Sequence, residues 1–270
     1  MSRIPRSFLF VPGHRPDRFA KAAASGAHGV VLDLEDAVAP DAKAAAREAV
    51  AVWLQAGGRA FVRINAAETS WYEDDLAMLQ AFPAAGVMLP KADQASLART
   101  TASFRGRPLI ALLETVGGLM ELPEMVKVPG LSRIAFGSVD FGIDSGIADE
   151  ADAMTAVRTQ IVLHSRAAGL MAPVDGVSVN FSDLEQMAAD AMRSRQLGFG
   201  GKLCIHPAQV AAVNRSFEPT PDEENWARRV LAAFDASGGA ATAVDGKMID
   251  LPVVEKARRI VSEATAGAAT

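Results

Sequence analysis

Eight short apolar segments, each bounded by glycine, proline or polar residues, recur along most of this chain. Most are apolar on both faces, which is typical of parallel strands that are covered by helices on one side and face a barrel interior on the other. Segments with helical periodicity lie between them. The apolar segments are FLFVP (8–12), VVLDL (30–34), AFVRI (60–64), VMLP (87–90), LIALLE (109–114), RIAFG (133–137), VSVNF (177–181) and KLCIH (202–206).

This alternation predicts an α/β fold of the (β/α)8 TIM-barrel type. A doubly wound sheet would usually have about five or six strands and a glycine-rich first turn, and no GxGxxG motif or P-loop occurs in the sequence. We therefore predict a catalytic barrel domain over residues 1–217.

The pattern changes after the eighth segment. Thr220 and Glu223 predict the capping box of a new helix, Asp245 opens an Asp-Gly turn typical of a hairpin, and a last helix is expected from about Leu251. We predict a C-terminal lid segment over 218–270, built of a helix, a short hairpin and a helix. It would pack on its own barrel or on a neighbour's, and the sequence leaves both arrangements open.

Composition narrows the class of partner. The chain has 270 residues, with 27 basic against 32 acidic side chains and a net charge of -5, which argues against a protein that coats nucleic acid or anionic membranes. No apolar run approaches the roughly 18 residues of a membrane-spanning helix. Cys204 is the only cysteine, so no intrachain disulfide can form. We expect a cytoplasmic protein that binds a small molecule.

Acidic side chains follow two neighbouring predicted strands. Glu114 ends the fifth and Asp140 follows the sixth, so both should emerge at the carboxyl end of the barrel, where barrel enzymes place their active sites. Hard oxygen ligands completed by water are what Mg²⁺ prefers. Each acid could instead cap a helix or pair with an arginine, and both interpretations stay open here.

Other polar residues at the strand ends have two interpretations as well. Arg63 lies within a buried strand and needs an anion, which could be Asp33, Glu35 or a substrate carboxylate. His206 is expected to be an ordinary loop residue, and Cys204 a core residue.

A basic cluster marks the beginning of the sequence. The first 21 residues contain one acid, Asp17, and five basic side chains, so the cluster is either a solvated face or a site for a phosphorylated ligand such as a nucleotide-bearing thioester. Its members are Arg3, Arg6, Arg15, Arg18 and Lys21.

Longer motifs along the chain are more specific than any single residue. In chain order they are RSFLFVPGHRPDRFAKA, GVVLDLEDAVAPDAKAAAR, FVRIN, PLIALLET, IAFGSVDFGID, GFGGKLCIHPAQVAAVN and DGKMIDLP. LDLEDAV together with a distant GKxxIHPxQ is a specific combination. In this order the motifs resemble the citrate lyase beta-subunit-like family of the HpcH/HpaI aldolase/citrate lyase superfamily, which also holds malyl-CoA and citramalyl-CoA lyases, and the resemblance spans nearly the whole chain.

The resemblance implies an oxo-acid lyase. Such an enzyme uses Mg²⁺, with Mn²⁺ as a substitute, to cleave or form a malyl-, citramalyl- or citryl-CoA type thioester. The products are an acetyl thioester and a 2-oxo acid such as glyoxylate, pyruvate or oxaloacetate. It also implies a homo-oligomer, a trimer or hexamer, with lids exchanged between subunits. Two different activities stay open beside it: that of a citrate lyase beta subunit acting on a carrier-protein thioester, and that of a metal-dependent pyruvate aldolase acting on free acids.

Residue roles follow from the same resemblance. Glu114 and Asp140 match metal ligands, with Glu114 also near the substrate, and Arg63 matches a catalytic arginine that binds substrate oxygens. Asp250 matches the catalytic aspartate of the lid, although it could simply cap the last helix. Phe10, Arg15 and Lys21 are expected to contact the substrate and CoA. Asp33, Glu35 and Asp36 are expected to support the site.

Overall fold

Eight parallel strands form a closed barrel in chain order, in which β1 pairs with both β2 and β8. The structure is a computed structural model that describes residues 5–104 and 106–268. The predicted (β/α)8 barrel is confirmed. The strands are β1 (Ser7–Pro12), β2 (Gly29–Asp33), β3 (Phe61–Arg63), β4 (Gly86–Leu89), β5 (Leu109–Leu113), β6 (Leu131–Phe136), β7 (Val174–Asp175) and β8 (Gly201–Cys204).

Helices connect the strands, and two of them, α6 and α7, lie between β6 and β7. None of the helices within the described ranges is long and apolar enough to cross a bilayer. Short 3-10 turns at Pro16–Arg18 and Pro40–Ala42 precede α1 and α2. The helices are α1 (Phe19–Ala23), α2 (Lys43–Gln55), α3 (Tyr72–Gln80), α4 (Gln94–Ser103), α5 (Val116–Met125), α6 (Ser138–Ser145), α7 (Thr155–Ala167), α8 (Leu184–Leu197) and α9 (Pro207–Ser216).

The barrel interior is a packed apolar core. Seven of the strands contribute a buried side chain to it, and Phe61 of β3 packs against the same cluster while partly buried. Because the interior is filled, only the ends of the strands are open to ligands. The buried cluster consists of Phe8, Val31, Met88, Ile110, Leu112, Ala135, Val174 and Leu203.

The position predicted for the seventh strand is wrong. Residues 177–181 form a loop in which Val179 is 65% exposed, and β7 lies earlier, at Val174–Asp175. A charged residue in the strand hid it from the pattern. Asp175 is buried and pairs through Oδ1 with Nε of Arg158 at 2.9 Å, while Ser194 donates to its other oxygen.

The start of α8 differs from what the residue spacing predicts. Ser182 and Glu185 have the spacing of a capping box, but the helix is capped by Asp183, whose Oδ1 accepts a hydrogen bond from the backbone N of Gln186 at 2.9 Å. The hydroxyl of Ser182 is already committed to Oδ1 of Asn180, at 2.7 Å.

The chain divides into two compact units, one from Pro5 to Ser216 and one that begins at Phe217. The second unit contains α10 (Pro221–Ala236), the hairpin strands β9 (Thr242–Val244) and β10 (Lys247–Ile249), and α11 (Leu251–Ala268). The expected capping box is present at the start of α10. Its action as a lid stays a prediction. The buried core of this unit is made of Ala227, Val230, Ile249, Val254, Ala257 and Ile260.

Candidate active site at the mouth of the barrel

A cavity of about 320 Å³ lies at the carboxyl ends of the barrel strands. Charged side chains reach it from the ends of four elements: β2, β3, β5 and the first turn of α6. The barrel brings them together because all its strands run in the same direction and end at one rim. The charged lining residues are Asp33, Asp36, Arg63, Glu114 and Asp140, and the remaining wall includes Phe10, Leu112, Gly137, Ser138, Val177 and Ile205.

Arg63 is clamped by Asp33. Its Nε and Nη2 donate to the two carboxylate oxygens of Asp33, at 2.7 Å each, and its Nη1 lies 2.9 Å from Oε2 of Glu35. Burial disfavours the charged guanidinium, but Asp33, Glu35 and Glu114 outweigh it and raise the pKa of Arg63. The guanidinium also lies over the ring of Phe10, 4.9 Å from its centroid. Arg63 is therefore a permanent, immobile positive charge on the cavity wall.

Asp33 orders the loop after β2 as well as the arginine. Its two oxygens accept hydrogen bonds from the backbone N of Glu35 at 2.9 Å and of Ala37 at 3.1 Å. Lys43 holds the same loop from α2, since its Nζ donates at 2.7 Å to the carbonyl oxygens of both Leu34 and Glu35. Between Leu34 and Ala37 the loop is thus fixed at its backbone, so Glu35 and Asp36 are presented in defined positions.

Glu114 is buried, with 1% of its surface exposed. Its Oε2 accepts a hydrogen bond from the backbone N of Lys91 at 2.9 Å, and its Oε1 lies 4.0 Å from Nη1 of Arg63. Burial raises the pKa of Glu114 to about 8, and the charges of Glu35 and Asp140 add to the rise. A carboxylate that burial and like charges disfavour becomes stable when a cation is bound beside it.

The residues present fit a divalent cation of the magnesium type. Glu114 and half-buried Asp140 supply hard oxygen atoms to one cavity, where burial and then the negative charges of Glu35 and Asp140 raise the pKa of Glu114. Across residues 5–104 and 106–268 no three His, Cys, Asp or Glu side chains are grouped as a metal site. This suits Mg²⁺, which is commonly bound by one or two carboxylates and otherwise by water and substrate oxygens.

Gly137 makes room for Glu114. A β-carbon at this position would lie 2.4 Å from Cγ of Glu114 and 2.9 Å from its Oε1. The chain at Gly137 donates from its backbone N to the carbonyl oxygen of Leu113 at 2.8 Å, so it cannot easily move away. The glycine between β6 and α6 is therefore a requirement of the site.

The structure does not bring all predicted residues to the cavity. Within the described part of the chain, Arg15 and Lys21 are not among the lining residues: Arg15 pairs with Asp17 at 2.7 Å, and Lys21 is exposed on α1. Asp250 belongs to the second unit, where it precedes α11. Arg3 lies outside the described residues. The roles of Phe10, Arg15, Lys21 and Asp250 towards a substrate stay predictions.

Two remaining sequence candidates have simple environments. Cys204 is buried in β8, and burial raises the pKa of its thiol to about 12, so it is an unreactive core residue as predicted. His206 lies in the loop after β8, where its ring stacks on Phe181 at 4.8 Å and its Nδ1 accepts a hydrogen bond from the backbone N of Ala208.

Sequence reasoning missed two residues that build the site, Lys43 and Gly137. Lys91 and Ser138 were visible as polar residues at the ends of the fourth and sixth strands, but the sequence assigned them no role. Lys43 begins an alanine-rich helix, and a lysine in such a sequence looks like an ordinary surface residue. Ser138 is buried in the cavity wall, and its Oγ has no hydrogen-bond partner within the described part of the chain.

Replacing Gly137 with alanine should weaken Mg²⁺ binding about 10- to 100-fold, because the added methyl group must displace the Glu114 carboxylate. Isothermal titration calorimetry of the folded variant measures this. Gly117→Ala is the matched control, since the nearest atom to its new β-carbon would be Oγ1 of Thr115, 4.0 Å away. Equal affinities for the two variants would contradict the steric argument.

Comparison with known proteins identifies the family of this chain. The family model for HpcH/HpaI aldolase/citrate lyase matches residues 6–207. A citrate lyase subunit beta-like protein of Deinococcus radiodurans is 38% identical over 275 residues, covering 95% of this chain and 96% of the relative. A (3S)-malyl-CoA thioesterase of Cereibacter sphaeroides is 35% identical over 274 residues, covering 98% of this chain and 96% of the relative. The structure of CitE from Mycobacterium tuberculosis in complex with magnesium, acetoacetate and coenzyme A matches with a TM-score of 0.85 and 34% identity, covering 97% of this chain and 98% of that one. The chain therefore belongs to the HpcH/HpaI aldolase/citrate lyase family, as its motifs indicated, and is an enzyme of the oxo-acid lyase type.

Proposed function

We propose that this enzyme is a Mg²⁺-dependent lyase that cleaves a malyl-, citramalyl- or citryl-CoA type thioester, or forms it by Claisen condensation. The observation that carries the proposal is the meeting of two carboxylates, Glu114 and Asp140, with the clamped cation Arg63 in one cavity. The magnesium, acetoacetate and coenzyme A bound by the related CitE protein support it.

Glu114 and Asp140 would hold the metal ion. When bound, Mg²⁺ supplies Lewis-acid polarisation of a substrate oxygen and a template for its orientation. Mn²⁺ would fit the same oxygen donors.

Arg63 would stabilise the negative charge that develops during cleavage. The bond between the two carbon atoms breaks and its electron pair passes to the thioester half as an enolate. The hydroxyl oxygen of the other half gives its proton to water and becomes a carbonyl, and the enolate carbon gains one proton in return. Because Asp33 already holds the guanidinium at two atoms, Arg63 does not need to reorganise as this charge appears. The ion pair with Asp33 would therefore contribute to the reaction by fixing the position of the positive charge of Arg63.

We further propose Asp250 as the acid and base of the reaction, on the strength of the family resemblance. It would protonate the enolate carbon in cleavage and remove a methyl proton of an acetyl thioester in condensation. In its own unit, Asp250 also occupies the capping position of α11: its carbonyl accepts from the backbone N of Val254 at 3.0 Å, and its Oδ1 lies 3.4 Å from the backbone N of Val253.

Thioester hydrolysis is a second candidate activity. The (3S)-malyl-CoA thioesterase is similar to this chain over nearly its full length, so family membership alone does not choose between cleaving the carbon-carbon bond and cleaving the thioester. Action on a carrier-protein thioester, as a citrate lyase beta subunit, and aldol cleavage of free acids are two further candidates.

The proposal also includes the oligomeric state. We expect a homo-oligomer, a trimer or hexamer, in which the lid of one subunit acts on a neighbouring subunit.

Incubating the protein and Mg²⁺ with malyl-, citramalyl- and citryl-CoA tests the reaction. We expect acetyl-CoA and a 2-oxo acid to appear in equal amounts, and Glu114→Gln to abolish their formation while Glu124→Gln, a change at an exposed ion pair with Lys127, does not. Free CoA without acetyl-CoA would show a thioesterase. Activity confined to a carrier-protein thioester would show a citrate lyase beta subunit, and activity confined to free acids would show an aldolase.

Mg²⁺ affinity should depend on pH through Glu114. Its pKa of about 8 means that the buried acid is protonated at neutral pH until the cation displaces the proton. Between about pH 6 and 7.5 the affinity should therefore rise up to tenfold per pH unit, and it should level off above about pH 8.5. Calorimetry in buffers of different ionisation enthalpy should detect proton release on binding at about pH 7. A flat affinity over this range would contradict the assignment.

Asp250→Asn should lower kcat by about 10²- to 10⁴-fold with little change in KM, because asparagine retains the helix cap but cannot transfer the proton. Asp245→Asn, in the hairpin turn of the same unit, is the control and should be close to wild type. A near wild-type rate for Asp250→Asn would leave Asp250 only its capping role.

Mixing Asp250→Asn chains with Glu114→Gln chains tests whether the lid serves a neighbouring subunit. If it does, the mixture should recover part of the activity that each variant lacks alone.

A further inference from the structure

Lys91 has a backbone conformation that lysine rarely adopts. Among the non-glycine residues that the structure describes, only Lys91, Ala151 and Asp245 have positive φ, at 44°, 45° and 52°. Asp245 lies in a hairpin turn where this conformation is usual. Lys91 follows directly on Pro90 at the end of β4, on the rim of the barrel that carries the candidate site. A strained residue at such a position points to a function that offsets the strain.

The positive φ of Lys91 fixes the direction of its side chain relative to its amide, and the amide itself points to the predicted metal ligand. Its N–H donates to Oε2 of Glu114 at 2.9 Å, while the next amide, that of Ala92, donates to the carbonyl oxygen of Leu112 at 3.2 Å. One oxygen of Glu114 is therefore anchored by a neighbouring strand, and the other faces Arg63 at 4.0 Å. The carboxylate cannot rotate freely.

The side chain of the same residue holds a second carboxylate. Nζ of Lys91 donates to Oε1 of Glu35 at 2.6 Å and lies 3.9 Å from Oδ1 of Asp36. The other oxygen of Glu35 is taken by Arg63 at 2.9 Å. Glu35 is thus held between two cations, with one oxygen on Lys91 and the other on Arg63.

A single residue must satisfy both requirements. Glycine would adopt positive φ without strain but has no amine to reach Glu35. With an ordinary negative φ, a lysine whose amide donates to Glu114 would direct its side chain away from its present path to Glu35. The combination of a glycine-like backbone with a cationic side chain explains why Lys91 occurs here.

We propose that Lys91 is a positioning residue that sets the geometry of Glu114 and Glu35 for divalent-cation binding. The inference rests on the Mg²⁺ site of the proposed function. It assigns Lys91 no contact with substrate, and it attributes the backbone strain to the orientation of the two carboxylates.

Metal binding distinguishes positioning from a simple charge effect. Lys91→Met keeps the length and the backbone strain but removes a positive charge, which by itself would tighten the binding of a cation. We expect instead that Mg²⁺ binds about tenfold more weakly, as measured by calorimetry without substrate. Lys91→Arg, which can still donate to Glu35, should recover most of the affinity. Unchanged or tighter binding in Lys91→Met would overturn the proposal.

Thermal unfolding of the metal-free protein tests the strain. Lys91→Gly and Lys91→Ala both remove the side chain, but only glycine relieves the backbone, so the glycine variant should melt about 2 to 4 °C higher than the alanine variant. Despite this gain, its Mg²⁺ affinity should be as weak as that of Lys91→Met. Ala151→Gly is the control, because it relieves a similar φ away from the carboxylates and should leave the affinity unchanged. Equal melting temperatures for the two Lys91 variants would remove the strain argument.

The outcomes separate this inference from the proposed function. A wild-type protein that binds Mg²⁺ but acts on none of the thioesters would contradict the proposed reaction and leave the Lys91 result valid. Variants that bind like the wild type would overturn the role of Lys91 while the activity stands. A wild-type protein that binds no Mg²⁺ would refute both.

Discussion

The buried ion pair between Arg63 and Asp33 is the contact on which the candidate site depends. A guanidinium on the last residue of a short strand is tolerable in a buried position only because Asp33 meets it at two atoms and Glu35 at a third. Removing one partner from such a pair typically costs about 3 to 5 kcal/mol, because the other charge is left without compensation. The same ion pair therefore holds the ends of β2 and β3 together and fixes the position of the Arg63 guanidinium.

The charges around this pair are not balanced. The acidic side chains are Asp33, Glu35, Asp36, Glu114 and Asp140, and the basic ones are Arg63, Lys91 and Lys43, so acids outnumber bases at the barrel mouth. The protein tolerates the excess by burying Glu114 at a raised pKa and by tying Asp33 and Glu35 to backbone amides and cations. A divalent cation is the chemically simplest group to complete such a site.

Each strand contributes very little to this arrangement by itself. β3 has three residues and β7 two, and neither would be stable outside a closed barrel. The packed interior holds the strand ends at fixed positions, while Lys43 of α2 and the loop residues Lys91 and Gly137 add local supports. The precision of the site thus comes from a rigid core, of which Leu112 and Leu203 also line the cavity, and the charged groups are placed by the strand ends and short loops built on that core.

The sequence by itself determined the class of fold, the approximate position of most strands and the main charged residues, because apolar periodicity and strand-end polarity are local properties. It failed at β7, where a buried aspartate paired with Arg158 looked like a loop residue. It also left Arg63 between two interpretations, and the structure shows both features together: an ion pair with Asp33 and a place on the cavity wall. Only the tertiary structure decided which oxygen of Glu114 is anchored, why position 137 must be glycine and why Lys91 has positive φ. Those facts depend on distances between residues that are far apart in the chain, and such distances exist only once the barrel has closed.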